Sequence, residues 1–113
     1  MATRTKQRER VAESSGNVFA DLGFADAEER HTKVRLAATI NEVLGRRTFS
    51  QAEAGRRLGI NQPKVSALLN YKLDGFSVER LMTFLTALDQ DVEIVIRSKP
   101  RSRRTARIVV TAA

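Results

Sequence analysis

The sequence has no cysteine, no tryptophan, one histidine and two prolines in 113 residues. Without cysteine there is no disulfide, no thiol nucleophile and no thiolate-bound metal. The single histidine, His31, sits among polar neighbours and reads as a surface residue. It excludes a multi-histidine metal site and a histidine-pair acid–base device unless chains share ligands. No apolar run approaches the roughly 20 residues that a membrane-spanning helix needs. The opening stretch MATRTKQRERVAESSG is charged and has no apolar segment, so it does not read as a signal peptide. These absences point to a cytoplasmic, non-catalytic protein of one domain.

What the chain has in excess is positive charge, with 20 Lys and Arg against 13 Asp and Glu, a net +7. The natural partner of such a surface is a polyanion. The excess is uneven. Residues 1–10 carry +3, 11–49 carry −1, 50–72 carry +3, 73–96 carry −4 and 97–113 carry +6. Such patches arise on any solvated surface. They also suit a protein with nucleic acid on one face and a protein partner on another.

Residues 1–16 are polar and aperiodic and read as a basic N-terminal arm. The stretch NVFADLGF from Asn17 reads as a short hook packed on the body, with Gly23 as its stop. A long helix is predicted over about 27–44, with Asp26 as N-cap and Gly45 ending it. Its apolar stripe is Leu36, Ile40, Val43 and Leu44, with Ala37 beside it and Val34 broadening it. Ser50 with Glu53 forms an S-x-x-E capping box for a helix over 51–58. Asn61 caps the next helix, to about Leu69, and Pro63 lies in its first turn, where a missing N–H costs nothing. A loop around Asp74-Gly75 leads to Ser77, the cap of a helix with apolar residues Val78, Leu81, Met82, Leu85 and Leu88. After it the period changes to two. Val92, Ile94 and Ile96 share one face of a predicted strand, and Arg107 to Thr111 suits a second. One strand or one hairpin is marginal alone, so a symmetric sheet with a second protomer is expected; packing on its own domain is the other solution.

The most informative segment is QAEAGRRLGINQPKVSALLN, Gln51 to Asn70. Two short helices flank a tight turn. Ala54, Leu58, Ile60, Val65 and Leu68 are the positions that interlock when two helices cross steeply. Gly55 fits a close crossing, and Gly59 fits a left-handed backbone after the first helix. This is the pattern of a helix-turn-helix, whose second helix enters the DNA major groove. Val65, Leu68 and Leu69 turn inward, leaving Gln62, Lys64, Ser66 and Ala67 outward. Gln pairs with adenine, Lys reaches guanine, and Ser adapts to either. Gln51 can hold a phosphate at the start of its helix, while Asn70, Tyr71 and Lys72 suit the DNA backbone. The basic tail either tracks phosphates or is simply solvated.

On these residues the sequence resembles the Cro/repressor-type (XRE) helix-turn-helix proteins and, more closely, their HigA-like antitoxin branch. The matching pieces are NVFADLGFADAEE, FSQAEAGRRLGINQPKVSALLNYKLDGFSVERLMTFLTAL and DVEIVIRSKPRSRR, spanning about 17–104. The loop NYKLDG carries Tyr71 where many relatives carry glycine. The resemblance implies a mainly α fold: a lambda-repressor-like domain over 17–89 and a dimerising strand or hairpin over 90–113. It implies a repressor that binds double-stranded operator DNA as a homodimer, regulates its own operon and neutralises a RelE/HigB-like toxin. The resemblance places DNA contacts on Gln51, Gln62, Lys64, Ser66, Asn70 and Lys72; Tyr71 joins them by its place after the second helix, and the alternation puts dimer contacts at Val92, Ile94 and Ile96. No residue for toxin binding transfers; the acidic 73–96 region or the arm and hook are the candidates.

Two other readings use the same residues. One is a stand-alone or phage-type regulator without a toxin. The other is a protein-binding adaptor, which Lys64 and Lys72 disfavour. An enzyme has least support. The sequence shows no nucleophile–base pair, no metal cluster and no glycine-rich phosphate loop, so no catalytic residue, metal or cofactor is expected. Asp89 and Asp91 read as a helix-to-strand turn.

Overall fold

The structure is a computed structural model and describes residues 21–112, with side chains from Asp26 onward. The arm expected over 1–16 and the first part of the hook lie outside the described residues. Four helices follow one another: α1 (Asp21–Arg46), α2 (Gln51–Leu58), α3 (Gln62–Leu69) and α4 (Val78–Ala87). The chain divides at Thr32 into two compact units. The described part of the first is the opening of α1; all core residues named below belong to the second.

Helix α1 corrects three expectations. Gly23 is helical and Asp26 lies inside the helix rather than at its cap. One glycine in a helix interior costs only about 1 kcal/mol, and Ala25 to Arg30 are all helix-compatible. Gly45 is helical too. The helix ends one residue later, and Thr48 takes the left-handed conformation (φ 54°) that closes it. Phe49 N–H donates to the Leu44 carbonyl at 3.3 Å across that turn.

The predicted stripe Leu36, Ala37, Ile40, Val43 and Leu44 is buried, whereas Val34 is exposed. Against the stripe pack Ala54 and Leu58 of α2, Val65 and Leu68 of α3, and Leu81, Phe84, Leu85 and Leu88 at α4. The loop before α4 adds Leu73 and Phe76, which the sequence pattern did not single out. Phe76 meets Phe84 edge to face at 5.8 Å and 77°, a geometry that aromatic quadrupoles favour.

Helix α4 ends with Asp89 left-handed (φ 64°). Arg47 Nη2 donates to the Leu88 carbonyl at 3.0 Å and to Asp89 Oδ2 at 3.3 Å. A cation thus covers the helix's carbonyl end, where the dipole favours it. Beyond Gln90 the chain forms no regular element, with a turn closed by Arg103 N–H on the Pro100 carbonyl at 3.2 Å, and among the described residues no strand ladder forms. The reason is pairing: alternation makes a segment fit for a sheet, but only a neighbouring strand makes it one. Val92 and Val110 pack on the core, and Arg35 Nη2 donates to the Val110 carbonyl at 3.3 Å. Ile94, Val95, Ile96, Ile108 and Val109 stay exposed.

Candidate nucleic-acid interface

Both helices of the motif are built from their own caps. Glu53 N–H donates to Ser50 Oγ at 3.1 Å, and Ser50 N–H donates to Glu53 Oε1 at 3.0 Å, closing the predicted box. The Ser50 backbone N–H is the main reason the Glu53 carboxyl titrates below its ordinary value. Desolvation opposes the shift; the Ser50 hydroxyl, Arg56 and Arg57 support it. A depressed carboxyl contributes stability above its unfolded pKa and loses it as pH falls through the folded one. The box therefore weakens in acid. Ser50→Ala is expected to cost about 1 kcal/mol, read as a lower urea midpoint at neutral pH.

The turn is set by two glycines. Gly59 is left-handed (φ 71°), and its N–H donates to the Gly55 carbonyl at 2.8 Å. A Cβ on Gly55 would lie 2.9 Å from the Ile60 carbonyl oxygen and 3.4 Å from Val65 Cγ2. The expected close approach is real, but the nearest atom belongs to the turn rather than to the second helix. Asn61 Oδ1 then accepts from Lys64 N–H at 3.0 Å, and α3 begins.

Between α2 and the start of α3 lies an open depression of about 420 Å³, lined by Gln51, Ala52, Gly55, Arg56, Gly59, Ile60 and Gln62. It brings together the side chains of Gln51 and Gln62, the first residues of the two helices. The other expected contacts vary in placement. Lys64 is exposed, with Nζ 5.3 Å from the centre of the Phe76 ring. Ser66, Ala67 and Leu69 are half-buried rather than fully outward or inward. Asn70 caps α3 and turns Nδ2 back onto the Ser66 carbonyl at 2.8 Å. Tyr71 is exposed and left-handed (φ 59°), a conformation that glycine adopts without cost. Lys72 is exposed beside it.

Three residues emerge that the sequence reading did not assign. Asn41 on α1 donates from Nδ2 to the Leu68 carbonyl at 3.2 Å and so ties α1 to the last turn of α3. Arg47 and Arg57 lie over Phe49, at 5.9 and 5.1 Å from its centre. Their charge was visible in the sequence, but nothing in the local pattern pairs them with that ring.

Among the described residues, no helix is long and apolar enough to cross a membrane. The sequence matches a helix-turn-helix domain family over residues 18–97. No curated protein matches it. A solved structure described as an XRE family transcriptional regulator is similar, with 74% identity and a TM-score of 0.76. The match covers 78% of this chain and 99% of that one. By its helix pair, its domain match and this likeness, the chain belongs to the XRE family of helix-turn-helix transcriptional regulators.

Proposed function

We propose that this regulator binds a specific operator as a homodimer, represses its own operon and acts as the antitoxin of a type II toxin–antitoxin module, neutralising a RelE/HigB-like toxin. The observation that carries the DNA reading is the shared depression of Gln51 and Gln62 beside an exposed Lys64. Gln62 opens α3, the helix that enters the major groove in such motifs, so its amide reads an adenine edge. Gln51, Asn70, Tyr71 and Lys72 hold the backbone, while Lys64 and Ser66 complete the reading helix.

The dimer reading rests on the segment after residue 90. Ile94 and Ile96 are 75% and 91% exposed, and their alternating segment has no ladder partner among the described residues. A second copy would supply one. Val92, half-buried on its own core, anchors the segment rather than lying at its edge. The toxin reading rests on the resemblance of the hook and tail to HigA-like antitoxins. It also rests on exposed acids in 73–96 (Asp74, Glu79, Asp91 and Glu93) that complement a basic RNA-cleaving partner.

The test is co-purification. The tagged protein is expressed with the small open reading frame beside its gene, and the eluate is sized and titrated on the DNA upstream of its own start at two salt concentrations. The expected result is a stoichiometric partner, two copies of this chain and salt-sensitive promoter binding. Promoter binding without a partner would replace the antitoxin reading by the stand-alone regulator. A partner without DNA binding would replace both by the adaptor.

A further inference from the structure

We propose that Arg56 is a phosphate anchor: its guanidinium takes a DNA backbone phosphate at the mouth of the depression that Gln51 and Gln62 share. The inference deepens the DNA-binding reading and rests on it.

Several cations around the helix pair are already committed. Arg47 holds the end of α4, Arg57 lies over Phe49, Lys64 over Phe76, and Arg80 over Phe84 at 5.2 Å. Arg56 is different. It is exposed, and its side chain has no hydrogen bond, ion pair or ring contact among the described residues. Only the field of Glu53 reaches it, and that carboxylate is already engaged by Ser50.

Its position follows from helix geometry. Residues 51, 52, 55, 56 and 59 lie on one flank of α2 by the helical period. This flank forms one wall of the 420 Å³ depression, and Gln62 stands on the other. Arg57, one residue on, is turned by about 100° and lies over the Phe49 ring, while Arg56 borders both this depression and the shallow cleft of Phe49, Glu53 and Arg57. Gly55, Gly59 and Ala52 are among the lining residues and Ile60 adds the one large apolar side chain, so most of the lining is small or polar. The polar groups around it include the two Gln amides and a guanidinium, which has only donors. A guanidinium fork matches two phosphate oxygens at once, which is why arginine suits this ligand. Gln62 then reads a base while Arg56 fixes the phosphate beside it, which sets the register of α3 in the groove.

The experiment compares wild type with Arg56→Gln, Arg56→Lys and Arg57→Gln, each checked by thermal melting for an unchanged fold. The probes are a duplex enriched by wild type from a random 20-base-pair pool and a mixed-sequence duplex of equal length. Affinity is measured across a salt series. Arg56→Gln should lower the slope of log K against log salt by about 0.9 per bound protomer. It should weaken both duplexes by the same factor, and Arg56→Lys should restore the slope. Arg57→Gln should leave the slope at the wild-type value. An unchanged slope in Arg56→Gln overturns the proposal, and so does a loss confined to the enriched duplex, which would make Arg56 a base reader. If wild type itself binds neither duplex, the DNA-binding reading falls first and the proposal with it.

Discussion

Leu58→Ala is expected to destabilise the domain by about 2–5 kcal/mol. Leu58 closes α2, is 6% exposed and sits in the cluster where α1, α2, α3 and α4 meet. Truncation removes three buried carbons where the turn fixed by Gly55 and Gly59 restricts collapse into the space. A domain of this size has only about 5–15 kcal/mol in total, so the variant loses a large share of it. Urea denaturation should show a much lower midpoint with an unchanged slope. DNA affinity should fall with the folded fraction and recover on cooling toward the temperature of maximum stability. A midpoint within experimental error of wild type would mean that α2 is not packed as described.

Gln62→Ala is expected to cost about 1–3 kcal/mol at the cognate site, roughly 5- to 150-fold in affinity. The loss should be confined to the base pair that Gln62 reads, because an amide matches adenine in two bonds. Stability should hardly change, since Gln62 is exposed at the start of α3. Lys64→Ala should cost less at the same site. The Lys64 ammonium rests 5.3 Å over the Phe76 ring, so reaching a base forfeits that contact, about 0.5–1 kcal/mol at an exposed site. Lys72→Ala should instead weaken all duplexes alike and lower the salt dependence. A binding-site selection on each variant separates these outcomes. Retention of the wild-type preference by Gln62→Ala would remove α3 from the reading role.

The helix pair was legible because its signals are local and redundant. Ser50 with Glu53, Asn61 with Pro63, and Ser77 each place a helix start by a side-chain bond to a nearby N–H, and α2, α3 and α4 begin where those caps put them. Gly55 and Gly59 were legible for the same reason, since one carbonyl contact and one positive φ require them. The ends of α1 were not, because a lone glycine is a weak stop when no left-handed residue follows it at once. Gly23 and Gly45 stay helical, and Thr48 takes the closing conformation. Leu73 and Phe76 were missed because a loop has no period to betray which residues it buries. The tail shows the limit of alternation. Val92 to Ile96 has the pattern of a strand, yet alternation names no partner, and among the described residues none pairs with it. Tyr71 stood out against the glycine that many relatives carry there, and the structure shows the left-handed φ that glycine would take. The site was less legible than the fold. Spacing marks Gln51 and Gln62 as helix starts, but their meeting in one depression, with Arg56 beside them, depends on how α2 and α3 cross.

In the proposed function, α2 and α3 read DNA sequence through Gln62. The most direct measurement is fluorescence anisotropy with the duplex upstream of this gene against a scrambled duplex of equal length, for wild type and Gln62→Ala, at two salt concentrations. Wild type should prefer its own duplex, both affinities should fall as salt rises, and the preference should shrink in the variant while the salt dependence stays. Equal wild-type affinity for the two duplexes, or an undiminished preference in Gln62→Ala, would contradict that function.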